Sequence, residues 1–293
     1  MKRILILCFI VLGWLHSAFA QVTFNIDGFS KQYYGKVYFS DTSAISSAGW
    51  VEVYDRTTKK KLIHVDADEL PFDLYDNPQK AYITKIPYEE QSAILYKDFN
   101  FDGVKDFAII DGFRNWTLGH SFKIFLASSK RFVFSDSFTE LTQDNQGMCT
   151  VNAINKTIST KSKIGDTWYQ YSDYIVENNK PKLIRRHTDD YEYAPFYREI
   201  IEELKGNKMV KTTRSSLALE RYHIEECFKF HVDKVNKDII LCNFYDDRLY
   251  YVILDAKQNV EFYYPFEELR QTSDFIFYRK NGKLTFKNKD ASY

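Results

Sequence analysis

Residues 95–112, LYKDFNFDGVKDFAIIDG, hold the side chains best suited to chemistry. With Asp98 as position 1, Asn100 is position 3, Asp102 is 5, Gly103 is 6, Val104 is 7 and Asp106 is 9. Calcium takes about six to eight oxygens, and a loop wound round the ion supplies them from alternate residues. The spacing therefore predicts a calcium site built from the side chains of Asp98, Asn100, Asp102 and Asp106 and the carbonyl of Val104. Glycine at position 6 permits the sharp turn. Three carboxylates this close repel one another without a cation. Calcium is favoured over magnesium because the loop offers many protein oxygens and little room for water.

Position 12 is Ile109 where an EF-hand has a bidentate glutamate, and the residues after the loop, DFAIID, read as a strand. A sensor switch is thus excluded. An ion surrounded by protein oxygens has little open coordination for catalysis, so the calcium is expected to be structural. Function is then expected in a loop that the ion steadies. The first candidate is GFRNWTLGH, residues 112–120, with Arg114, Trp116 and His120 as partner-binding residues. Arginine and tryptophan are common interface anchors. The alternative is that Trp116 plugs the core at a strand turn.

Other chemistry is thinly supported. RYHIEECFKFH, residues 221–231, lacks H-E-x-x-H spacing and alternates like a strand. No G-x-S-x-G, P-loop or G-x-G-x-x-G occurs. The acids of DDYEY (189–193) and YDD (245–247) read as solvated, and no carboxylate pair is identifiable. No catalytic residue is assigned, and a non-enzyme is expected.

The elements that must position these residues are strands. An alternating aromatic or β-branched run, a polar turn and a second run recur at 49–65, 121–138, 168–187, 248–265 and 274–288. Period-2 patterning of this kind predicts an all-β, propeller-like arrangement of antiparallel hairpins. Asn281-Gly282 is a strong hairpin turn signal. One helix is expected at 195–207, where Tyr197, Ile200, Ile201 and Leu204 fall at helical spacing between Pro195 and Gly206. The expected organisation is a signal peptide over 1–20, a calcium-binding β region over 21–190, a linker with the short helix over 191–210, and a C-terminal β region over 211–293.

The signal peptide is read from Lys2 and Arg3, the apolar run Ile4–Leu15 and the small-x-small site Ala18-Phe19-Ala20. It implies export to the periplasm. No later segment is apolar enough over the ~20 residues that a spanning helix needs. The formal net charge is zero, which argues against nucleic acid as a partner. Cys227 and Cys242 lie on neighbouring strand-like segments and either pair or stay reduced and buried.

The loop D-x-N-x-D-G-x-x-D running into a strand resembles the short calcium loops of FG-GAP and VCBS-type propeller repeats. Together with the exported start, HSFKIFLASSKRFVFS and WYQYSDYIVENNKPKLIRR, residues 48–190 look like the periplasmic, calcium-binding, propeller-like immunity proteins. That resemblance implies structural calcium on Asp98, Asn100, Asp102, the Val104 carbonyl and Asp106. It also implies inhibition of a lysozyme-like peptidoglycan hydrolase delivered as a secretion-system effector. It transfers no inhibitory residues, because no S-G-x-x-Y stretch is present. The alternatives are a cell-envelope carbohydrate-binding β-module and an envelope hydrolase with an unidentified carboxylate pair.

Overall fold

Alternation along the chain becomes a buried and an open face in the first meander, β1 (Val22–Asp27), β2 (Tyr33–Phe39), β3 (Ser46–Asp55) and β4 (Lys61–Pro71). The register sets Val37 opposite Val51 and Val51 opposite Val65, and all three are buried. The next row, Tyr38, Trp50 and Asp66, points to the other face. A short β5 (Lys85–Pro87) joins β1 in parallel. The computed structural model describes residues 22–71, 85–87, 92–129, 131–192, 195–221, 227–244, 248–264, 275–278, 283–288 and 291–292. The signal-peptide segment, His223 to Glu226, Tyr245 to Asp247 and the Asn281-Gly282 turn lie outside them.

The calcium-type loop belongs to the second sheet, β6 (Ile94–Lys97), β7 (Asp106–Asn115), β8 (Gly119–Ser128) and β9 (Arg131–Phe134). Phe107, Ala108, Ile109 and Ile110 on β7 are buried on both faces, so this part of the strand is apolar without alternation. β4 lies against β7, and the two sheets share one core that includes Phe39, Leu70, Phe107 and Ile124. Fully burying one such phenylalanine contributes roughly 1.5–3 kcal/mol.

β9 is short and leaves the first half of β8 with an open edge. The helix α1 (Asp136–Gln143) covers it. Thr139 and Thr142 accept the backbone N–H groups of Ile124 and Phe122 at 3.0 Å each, and the Thr142 hydroxyl donates to the Phe122 carbonyl at 2.7 Å. Phe138 and Leu141 on the same helix enter the core. Helical threonines here complete a sheet edge that a strand does not reach.

A third sheet runs in the order β10 (Thr150–Asn152), β11 (Thr157–Ile164), β12 (Trp168–Glu177), β13 (Lys180–Asp190), β14 (Phe196–Lys205) and β15 (Lys208–Leu217). The fourth is β16 (Cys227–Val232), β17 (Lys237–Phe244), β18 (Arg248–Leu254) and β19 (Val260–Tyr264). The fifth is β20 (Phe275–Tyr278), β21 (Lys283–Asn288) and β22 (Ala291–Ser292). Four of the five sheets are wholly antiparallel, and none closes into a barrel.

The helix expected at 195–207 is a strand. β14 pairs residue by residue with β15, from Phe196 opposite Leu217 to Lys205 opposite Lys208. Its apolar residues also fit period 2, with Phe196, Ile200 and Leu204 on one face and Tyr197 and Ile201 on the other. Gly206, at φ 63°, serves a two-residue hairpin turn and not a helix end. Phe196–Lys205 and the residues from Lys208 to Val210 are therefore sheet where a helix and linker are expected. Among the described residues the one helix lies at 136–143 instead, where sequence patterning continues the 121–138 hairpin.

The chain forms two compact units. One holds the described residues up to Lys163 with Ser172–Ile184, and the other holds Ile164–Tyr171 with the described residues from Arg185 on. The second has its own core of Phe196, Ile240, Cys242, Tyr250, Val252 and Leu254.

Candidate functional site

The loop between β6 and β7 is fixed at both ends by burial. Phe99 enters the core at 1 % exposure and Asp106 is 0 % exposed, so the polar residues between them are forced into a tight turn. Phe101 and Gly103 take left-handed backbone conformations, φ 62° and 89°. Within the turn, Asp98 Oδ2 accepts the Gly103 N–H at 2.9 Å and Asp102 Oδ1 accepts the Val104 N–H at 2.8 Å. Asn100 Oδ1 accepts the Asp102 N–H at 3.3 Å. The Asn100 amide donates to Asp102 Oδ2 at 2.9 Å and to Asn179 Oδ1 at 3.1 Å. Asn179 belongs to the β12–β13 turn, where Asn178 and Asn179 are both left-handed, as a two-residue type I′ hairpin requires.

Asp106 reaches further. Its Oδ2 accepts the Phe99 N–H at 2.8 Å and its Oδ1 accepts the Ala127 N–H at 2.7 Å on β8. Burial pushes its carboxyl up to about 6, the two N–H bonds oppose that shift, and the Asp102 and Asp98 charges add to it. Asp98 Oδ1 is buried and accepts no hydrogen bond. An orphaned carboxylate oxygen beside two further acids suits a hard cation in donor chemistry. The side chains as placed are locked to backbone N–H groups, however. Among the described residues no three His, Cys, Asp or Glu side chains form a ready metal cluster. Loop composition and the orphaned oxygen fit calcium, while a preformed chelate is absent among these residues.

The hairpin at 112–120 sits at the other end of β7. Asn115 Oδ1 accepts the Thr117 and Leu118 N–H groups at 2.9 and 2.8 Å, and Gly119, at φ 74°, closes the turn. Trp116 at the tip is 94 % exposed, which rules out the core-plug alternative. Its ring meets Phe113 edge-on at 5.4 Å, and Phe113 meets His120 at 5.4 Å. His120 is half-buried. Arg114 is exposed and lies 3.8 Å from Asp111. The three expected partner residues therefore share one hairpin, but only Trp116 and Arg114 stand open. Ten strand residues rise about 30 Å, so an ion at 98–106 does not steady this hairpin by contact. The calcium-type loop instead touches β8 through Ala127 and the β12–β13 turn through Asn179.

Patterning alone missed the groups that hold the loop, Ala127 and Asn179, because backbone N–H and turn residues far along the chain carry no motif. It also missed an ionic knot on the open face of the first meander. Glu52 accepts from Lys61 Nζ at 2.7 Å, bonds His64 Nδ1 at 2.7 Å and accepts the Tyr54 hydroxyl. Stacked pairs flank it, Tyr34 on Tyr54 at 5.3 Å and Tyr38 on Trp50 at 5.4 Å. Alternation of Trp50, Glu52 and Tyr54 was the available signal. The register sets Cys227 opposite Cys242. Cys149 is buried, and burial pushes its thiol up to about 12, which leaves it unreactive.

Comparison with known proteins adds little. No family model matches the chain, and no curated protein matches it. Among solved structures, a Xanthomonas type IV secretion system related protein aligns with 67 % of this chain and 94 % of its own, at 17 % identity and a TM-score of 0.46. Among the described residues no helix is long and apolar enough to cross a membrane.

Proposed function

We propose that this protein is exported to the periplasm and acts by binding, without catalysis of its own, inhibiting a lysozyme-like peptidoglycan hydrolase as an immunity protein does. The observation that carries the binding role is Trp116, a fully presented indole on a turn stiffened by Asn115 and backed by Phe113. A rigid aromatic anchor loses little entropy when it enters a partner's pocket. The hydrolase as partner rests on the family resemblance of residues 48–190, as does the propeller-like arrangement of the meanders.

Calcium belongs to the same proposal as a staple. Asp98, Asn100, Asp102, the Val104 carbonyl and Asp106 would hold it, and bound there it supplies positive charge to three crowded acids. Asp98 Oδ1 is the oxygen that gains most. Binding energy available only to the ordered loop becomes folding energy.

Capture on the protein from a native periplasm, followed by a peptidoglycan-hydrolysis assay of what is captured, tests the role. Stoichiometric loss of hydrolase activity is expected. Turnover of peptidoglycan by this protein alone overturns it. A second reading, envelope carbohydrate binding, is favoured by the open stacks Tyr34–Tyr54 and Tyr38–Trp50. Retention on insoluble peptidoglycan in the absence of any hydrolase separates it from the first.

A further inference from the structure

The last three strands of the six-stranded sheet set charged residues opposite one another across their register. Arg186 on β13 lies opposite Glu202 on β14, which lies opposite Lys211 on β15. Arg185 lies opposite Glu203, and Glu199 lies opposite Arg214. The side chains follow the register, with Arg186 to Glu202 at 3.0 Å, Arg185 to Glu203 at 3.9 Å and Arg214 to Glu199 at 4.0 Å. The Arg186–Glu202–Lys211 row runs basic, acidic, basic, whereas Glu203 sits between Arg185 and Val210, and Glu199 between Asp189 and Arg214. β15 itself has Lys208, Lys211 and Arg214 and no acid. Among the described residues it is the last strand of its sheet, and Lys208 through Arg214 are all exposed.

The turn fixes which backbone groups are open. Gly206-Asn207 is a two-residue turn with Lys205 opposite Lys208. The residues flanking such a turn form a hydrogen-bonded pair, and the pairs then alternate. The N–H and C=O groups of Lys208, Val210, Thr212 and Arg214 thus face β14. Those of Met209, Lys211, Thr213 and Ser215 face the free edge. An open row of this kind is a template for another strand. Two copies of β15 would set lysine and arginine against one another, which like charges disfavour. An acidic strand instead complements Lys208, Lys211 and Arg214, as Glu202 and Glu199 already do for Lys211 and Arg214 from the β14 side.

We propose that the open edge of β15 takes an extended acidic segment of a partner protein as an added strand. Main-chain bonds to Met209, Lys211, Thr213 and Ser215 give the pairing, and Lys208, Lys211 and Arg214 select the charge. This surface is independent of Trp116, of calcium and of the hydrolase reading.

The test uses the whole protein and three synthetic decapeptides. One alternates Glu and Thr, one has Lys for each Glu, and one is the acidic peptide N-methylated at alternate residues. The acidic peptide is expected to bind and to slow amide exchange at Met209, Lys211, Thr213 and Ser215, leaving the β14-facing amides unchanged. The other two are expected to bind at least about tenfold more weakly. Thr213→Pro deletes one edge N–H at a position where an edge strand tolerates proline, and should weaken the acidic peptide about tenfold. Should that variant misfold, Lys211→Glu with Arg214→Glu should exchange the preference for the acidic peptide with that for the basic one. Binding without protection of those four amides overturns the proposal, as does equal binding of the basic peptide or none at millimolar concentration. A concentration-dependent dimer that protects the same amides also overturns it, in favour of a second copy.

Discussion

Asp106 Oδ1 accepts the backbone N–H of Ala127 at 2.7 Å, and this bond ties the loop of residues 98–105 to β8 without any ion. The same carboxylate holds Phe99 through Oδ2 at 2.8 Å. Asp106 is therefore an anchor first, whatever its share in binding a cation. Asp106→Ala strands one buried and one part-buried N–H group and is expected to cost about 2 kcal/mol or more. In a chain of this size that lowers Tm by roughly 4–8 °C. Thermal unfolding in EDTA measures it, and a Tm equal to wild type would show that water replaces the carboxylate at no cost.

Asp98 and Asp102 separate anchoring from metal binding. Asp98 Oδ1 has no hydrogen bond to lose. Asp98→Asn is thus expected to leave the unfolding free energy in EDTA within about 0.5 kcal/mol of wild type. It should abolish the rise in Tm that calcium produces through a stabilisation of about 2.7 kcal/mol at a hundredfold excess over Kd. Asp102→Ala should abolish the same rise. If wild-type Tm ignores both EDTA and added calcium, the staple does not exist.

The acid limb of stability should report on Glu52. Burial raises its carboxyl, but hydrogen bonds from Lys61, Tyr54 and His64 outweigh burial and hold it below its ordinary 4.5. A folded-state value below the unfolded one gives stability that is present above pH 4.5 and lost as pH falls through the lowered value. Glu52→Gln is expected to flatten this loss below pH 4.5 and to leave its slope at higher pH unchanged. Urea midpoints across that range decide it. An unchanged acid slope in the variant would assign the limb to other carboxylates.

Local patterning made the strands legible wherever one face was buried, as in buried Val51 and Val53 against half-buried Trp50 and Tyr54. It failed at β14 because Tyr197, Ile200, Ile201 and Leu204 satisfy both periods, and only the pairing with β13 and β15 chooses between them. It missed α1 because that helix is eight residues long and its purpose, covering the edge of β8, is set by how far β9 extends. Loop spacing picked out Asp98, Asn100, Asp102 and Asp106, which the structure gathers in one turn. It did not reveal that the open hairpin at 112–120 stands at the far end of β7.

Two glycines on the first meander should respond differently to alanine. A Cβ on Gly49 would lie 1.9 Å from the Tyr38 carbonyl oxygen, so backbone must move. A Cβ on Gly35 would lie 2.2 Å from Ile94 Cδ1, the end of a flexible side chain. Gly49→Ala is expected to cost about 3 kcal/mol and to loosen the β2–β3 pairing, and Gly35→Ala about 1 kcal/mol. Chemical denaturation ranks them, and the reverse order would place the tight contact between the sheets and not within the pair.

Trp116 distinguishes a binding surface from an idle one. At 94 % exposure its removal exposes no core, so Trp116→Ala should leave unfolding free energy within about 0.5 kcal/mol of wild type. An anchor that enters a partner's pocket is worth about 2 kcal/mol or more, so affinity for the captured hydrolase should fall roughly thirtyfold. Ile154 is an instructive control, since it is 93 % exposed on the turn between β10 and β11 and plays no part in the 112–120 hairpin. Ile154→Ala should leave that affinity unchanged. Equal inhibition by wild type and Trp116→Ala would remove the hairpin from the interface, whereas equal losses in both variants would point to a general hydrophobic contribution and not to a defined pocket.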